Sequence, residues 1–77
     1  MKRIEVLGTG CTRCKKLYEA TQEAVRALGI EAEVVKVEDI QKIIRYGILS
    51  TPGLVVDGVV KSVGKLPSLD ELKTLIA

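Results

Sequence analysis

Two cysteines three positions apart, Cys11 and Cys14, are the only thiols in a 77-residue chain that has no histidine, tryptophan or phenylalanine. Without an imidazole, neither a Ser-His-Asp triad nor a Cys-His nucleophile pair can be assembled. A mononuclear zinc site takes four nitrogen or sulfur ligands, and two thiols fall short of that. A Cys-x-x-Cys pair can, however, cycle between dithiol and disulfide. One thiolate attacks a disulfide sulfur, and the second thiol resolves the mixed disulfide that forms.

The setting of Cys11-Thr12-Arg13-Cys14 suits that chemistry. It lies where a strand-like segment gives way to a helix-like one. The first turn of a helix carries unpaired N–H groups and the positive end of the macrodipole, and both favour a thiolate. Arg13, Lys15 and Lys16 add positive potential of the same sense. Cys11 is therefore the expected nucleophile, and Cys14, one turn along, the less exposed resolving thiol. A bridge kept for stability alone explains the pair poorly, because closing a loop across two residues removes little unfolded-state entropy. Two small core cysteines would not need to fall at a junction flanked by glycines and basic residues.

The elements that must position this pair are readable from periodicity. Residues 2–7 alternate as a strand. Leu17, Thr21, Ala24, Val25 and Leu28 form one stripe of a helix over 12–28, which Gly29 and Ile30 terminate. Residues 32–37 are β-branched and form a second strand, parallel to the first because a long helix separates them. Asp39 caps a second helix through Arg45, with Ile40, Ile43 and Ile44 expected to face inward, and Tyr46-Gly47 ends it. Residues 54–56 and 59–63 flank Asp57-Gly58, the loop of a tight hairpin. Ser68 and Glu71 have capping-box spacing before a last helix whose buried face is Leu69, Leu72, Leu75 and Ile76. The order β-α-β-α-β-β-α predicts an α/β fold with a four-stranded mixed sheet and helices on both faces, in a single domain over 1–77.

Composition removes other classes. Twelve Lys and Arg against ten Asp and Glu leave a net charge of +2, too weak for a nucleic-acid or membrane surface, and two tyrosines make no stacking platform for bases. No apolar run is long enough to cross a membrane. The first residues meet charge at Lys2 and Arg3, unlike a secretory signal, so a cytoplasmic location is expected. Gly8-x-Gly10 has the opening spacing of a dinucleotide fingerprint, but Arg13 stands where its third glycine belongs.

Taken together, Gly8-Thr9-Gly10-Cys11-x-x-Cys14-Lys15-Lys16-Leu17, Tyr46-Gly47-x-x-Ser50-Thr51-Pro52 and Val56-Asp57-Gly58 resemble the small thioredoxin/glutaredoxin-like redox-active disulfide proteins of archaea and bacteria, within the thioredoxin-like superfamily. The resemblance spans nearly the whole chain and implies a thioredoxin-like fold and a thiol–disulfide oxidoreductase acting on protein disulfides. It implies Cys11 as attacking thiol, Cys14 as resolving thiol, and a cis Pro52 facing them. The main-chain groups of Thr51 would pair with an extended substrate segment, as in strand addition. Arg13 and Lys15 would support the thiolate. The cycle requires no bound cofactor or metal. It does require a thioredoxin-reductase-like or other dithiol reductant, and the protein is expected to act as a monomer.

Departures from better-known relatives sharpen these expectations. Gly10 stands where thioredoxins carry tryptophan, and Thr12-Arg13 replaces their Gly-Pro, so the redox potential is left open. The basic residue and paired-glycine turn with which glutaredoxins hold glutathione are absent or half present at Gly64-Lys65, which favours a protein disulfide as substrate. Glu5 has two readings: a buried acid relaying a proton to the resolving thiol, or a solvated side chain on the outer face of a strand. A metal-transfer module is the alternative function, since two thiolates suit Cu(I). Such modules, however, have a β-α-β-β-α-β order and usually a methionine where Thr9 stands.

Overall fold

Hydropathy and capping translate directly into seven elements. In the computed structural model, which describes residues 2–10 and 12–77, these are β1 (Lys2–Leu7), α1 (Thr12–Leu28), β2 (Ala32–Val37), α2 (Ile40–Arg45), β3 (Gly53–Val56), β4 (Val59–Val63) and α3 (Leu69–Ile76). The sheet order is β2-β1-β3-β4. β1 and β2 pair in parallel with Lys2 opposite Ala32 and Leu7 opposite Val37. β3 runs antiparallel to both β1 and β4. This is the mixed α/β sheet expected from the element order.

Strand alternation assigns the two faces. Ile4 and Val6 of β1 and Leu54 and Val56 of β3 pack with Leu17 and Ala24 of α1 and Leu72 and Ile76 of α3. On the other face Leu7, Val37 and Val55 meet Ile43 of α2 and Ile48. β3 is covered on both sides, so all four of its residues are buried. Each fully buried aliphatic side chain there contributes roughly 1.5–3 kcal/mol. Thr21 is fully buried in the α1 face, and its Oγ1 donates to the Leu17 carbonyl at 2.7 Å, so this hydroxyl is paired inside the core.

Local signals terminate the elements. The Gly29 N–H reaches the Val25 and Arg26 carbonyls at the end of α1. Ser68 accepts from the Glu71 N–H while the Glu71 carboxylate accepts from the Ser68 N–H, completing the capping box of α3. Asp57 and Gly58 both have positive φ (49° and 83°), the requirement of a two-residue hairpin turn that matches strand twist. Asp57 also accepts from the Arg3 N–H and donates its own N–H to the Arg3 carbonyl, fastening the turn to β1.

α2 departs from expectation. Asp39 caps it through the Gln41 N–H, but Ile40 and Ile44 are 59% and 63% exposed and only Ile43 is buried. The helix has six residues, and its inward face is set by Ile43 and Tyr46, both packed on the second core cluster. Side chains at 40 and 44 are consequently turned to solvent.

Candidate functional site

β1 stops where the Gly8 N–H donates to the Val37 carbonyl at 3.0 Å. Thr9 and Gly10 are exposed, and α1 begins at Thr12. Cys11 lies outside the described residues. Cys14, in the first turn of α1, is 6% exposed, and its sulfur is engaged in a disulfide. It borders a small cavity of about 50 Å³ whose walls include Val6, Gly8, Lys15, Lys36 and Glu38.

Gly8 is pressed against this cysteine. A Cβ at position 8 would stand 2.2 Å from the Cys14 sulfur and 2.8 Å from its Cβ, so only glycine admits the sulfur at this depth. The electrostatics are those of a helix start with no acidic residue in its first turn. Arg13, Lys15 and Lys16, all exposed, flank Cys14 along this turn. Lys36, reaching over from β2, places its ammonium 4.5 Å from the centre of the Tyr18 ring. Tyr18 itself packs against the α1 core.

The second part of the site is the loop before β3. Ile48 is buried, Leu49 is fully exposed, Thr51 is half-buried and Pro52 is buried. The Thr51–Pro52 peptide is cis. The Pro52 carbonyl accepts from the Gly64 N–H at 2.8 Å, and the Gly64 carbonyl accepts from Arg13 Nη2 at 2.8 Å. The structure thus joins Arg13 to Pro52 through a glycine 51 residues along the chain from Arg13.

Glu5 belongs elsewhere. Its side chain is 14% exposed on the α2 face, where Oε1 accepts from Arg3 Nε at 3.2 Å and Oε2 accepts from the Tyr46 hydroxyl. That hydrogen bond, then burial and the nearby carboxylate charge, raise the Tyr46 pKa above its ordinary 10.0, with Arg3 opposing. The surrounding cleft, about 410 Å³, is walled by Arg3, Glu38, Asp39, Lys42, Arg45 and Tyr46, and Cys14 does not line it. Glu5 is neither the solvated residue of one reading nor beside the resolving thiol as in the other. Strand alternation puts it opposite Val6, the residue that borders the Cys14 cavity.

Sequence reasoning passed over Gly8 and Gly64 as site residues. Gly8 stands in a glycine pair with the opening spacing of a dinucleotide fingerprint, and Gly64 in an incomplete glycine turn. Lys36 and Glu38 carried no signal, because nothing at their spacing from Cys14 marks them as its neighbours. Among the described residues no group of three His, Cys, Asp or Glu side chains could hold a metal ion. No helix among them is long and apolar enough to cross a membrane.

Comparison with known proteins places these features in context. The model of the thioredoxin domain matches residues 2–77. A protein named thioredoxin from Methanothermobacter thermautotrophicus is 39% identical over 77 residues, covering all of both chains. Another thioredoxin, from Methanocaldococcus jannaschii, is 44% identical over 70 residues, 91% of this chain and 80% of that one. A probable thioredoxin from Methanothermobacter marburgensis is 34% identical over 74 residues, 91% of this chain and 86% of its own.

Proposed function

Because the chain belongs to the thioredoxin domain family and is a thioredoxin-like disulfide oxidoreductase, we propose that Cys11 and Cys14 are its redox pair and that protein disulfides are its substrates. The observation that carries this reading is the disulfide-bonded Cys14, buried against Gly8 in the first turn of α1.

The cycle balances with these residues alone and an external dithiol. The Cys11 thiolate attacks one sulfur of the substrate disulfide. That S–S bond breaks, the departing substrate sulfur takes up a proton, and Cys11 is left in a mixed disulfide. Cys14 loses its proton and attacks the Cys11 sulfur, which expels the second substrate thiol and leaves Cys11–Cys14 oxidised. Two electrons have passed to the substrate. A thioredoxin-reductase-like partner or another dithiol returns them. Arg13, Lys15 and the start of α1 favour the anionic sulfur, and Thr51 offers its main chain to an extended substrate segment beside Pro52. We read residues 1–77 as one domain that acts as a monomer in the cytoplasm, where a Cys-x-x-Cys pair is catalytic more often than structural.

A redox titration of the purified protein, with metal assayed on the same sample, tests this. A reversible two-electron transition that disappears in Cys11→Ser is expected. Stoichiometric metal that protects both thiols from oxidation would overturn it in favour of metal transfer.

A further inference from the structure

Arg13 stands between the two cysteines, and charge is the obvious use for it. Its guanidinium does something more specific. Nη2 donates to the Gly64 carbonyl at 2.8 Å, and the Gly64 N–H donates to the Pro52 carbonyl, also at 2.8 Å. One residue therefore ties the start of α1, the end of β4 and the Thr51–Pro52 loop together. We propose that Arg13 is a positioning residue: through Gly64 it holds the cysteine-bearing turn of α1 at a set distance and angle from the Thr51–Pro52 loop, and so sets the gap a protein disulfide must enter.

Gly64 is adapted to this junction on two counts. Its φ of +66° lies in the left-handed region that side chains disfavour. A Cβ there would also stand 2.9 Å from the Ser50 Cβ, so the turn after β4 lies flush on the loop that leads into Pro52. A charge serving only to stabilise a thiolate requires neither a fixed carbonyl partner nor a close-packed glycine beneath that partner. The inference rests on the reading of Cys11 and Cys14 as the redox pair. It adds a consequence which that reading lacks. A substrate that lies along Thr51 depends on the apposition of loop and helix, whereas a small disulfide that touches only the sulfur does not.

The experiment compares two substrates: insulin, a protein disulfide, turned over with dithiothreitol as reductant, and 5,5′-dithiobis(2-nitrobenzoate), a small one, reduced in a single turnover by the pre-reduced protein freed of dithiothreitol. Arg13→Gln and Gly64→Ala are each expected to raise KM for insulin about tenfold, the loss of one charge-assisted hydrogen bond. In Gly64→Ala the rate with the small disulfide should stay within about twofold, since the attack needs no platform and the Arg13 charge is kept. Gly64→Ala keeps the Arg13 charge, so the pH dependence of iodoacetamide alkylation should match the wild type. Ser50→Gly added to Gly64→Ala should recover part of the KM loss by vacating the space that the new Cβ needs, the strain of the positive φ at residue 64 remaining. Equal slowing on both substrates in Gly64→Ala, or a normal insulin KM in that variant, would overturn the positioning role. Failure of the wild-type protein on both disulfides would instead overturn the redox pair.

Discussion

Gly8 and Cys14 are in contact with no space between them: the position a Cβ would take on residue 8 is 2.2 Å from the Cys14 sulfur. The end of β1 and the first turn of α1 are thereby held together where the Cys14 sulfur is buried. Gly8→Ala must push α1 outward or rotate the cysteine. Overpacking of this kind costs about 1–3 kcal/mol. Guanidinium denaturation of the oxidised protein should show a lowered midpoint with an unchanged slope, and an unchanged midpoint would mean that the turn yields freely.

The assignment of roles within the pair has its own test. Cys14→Ser should accumulate a mixed disulfide between Cys11 and the substrate, because the resolving step is missing. Cys11→Ser should form no such adduct. Non-reducing electrophoresis with mass spectrometry reads the result, and adducts in the Cys11→Ser protein alone would reverse the assignment.

Tyr46 and Glu5 predict an alkaline limb of stability. The Tyr46 pKa is raised in the folded state, chiefly by the hydrogen bond to Glu5. The folded state therefore retains a proton that the unfolded state has already released. This contribution is whole below the unfolded value of about 10 and fades as pH rises through the folded one. Tyr46→Phe should cost about 0.5–1 kcal/mol at pH 7, small because the pair is partly exposed. The gap between variant and wild type should narrow above pH 10. Urea melts from pH 7 to 11 would show it, and a gap independent of pH would remove the hydrogen bond as its source.

The two sides of α2 differ sharply. Ile43→Ala should cost about 2–4 kcal/mol, whereas Ile44→Ala should stay within about 0.5 kcal/mol. Chemical denaturation of the two variants side by side separates them, and equal losses would place Ile44 in the core after all.

Much of this was legible in the residues alone. The helix of Leu17, Thr21 and Ala24, the caps at Asp39 and Ser68, the Asp57-Gly58 turn and the Cys11–Cys14 spacing are local signals. Each depends on periodicity or on a hydrogen bond spanning a few residues, so a linear chain states it in full. Ile40 and Ile44 were misplaced because a six-residue helix has too few turns to define a stripe, and the packing of Ile43 and Tyr46 chooses its inward side.

The order of elements, their ends and the chemistry available to two thiols all follow from neighbouring residues of the chain. That Gly8 seats Cys14, that Arg13 meets Gly64 and that Glu5 pairs with Tyr46 emerges only from the packed chain. Those contacts join residues 6, 51 and 41 positions apart. They exist because whole elements pack together: β1 with α1, α1 with the turn after β4, and the β1 face that carries Glu5 with the end of α2. Strand parity sends Glu5 to the α2 face and Val6 to the cavity beside Cys14, and no local pattern around Glu5 encodes which partner waits there.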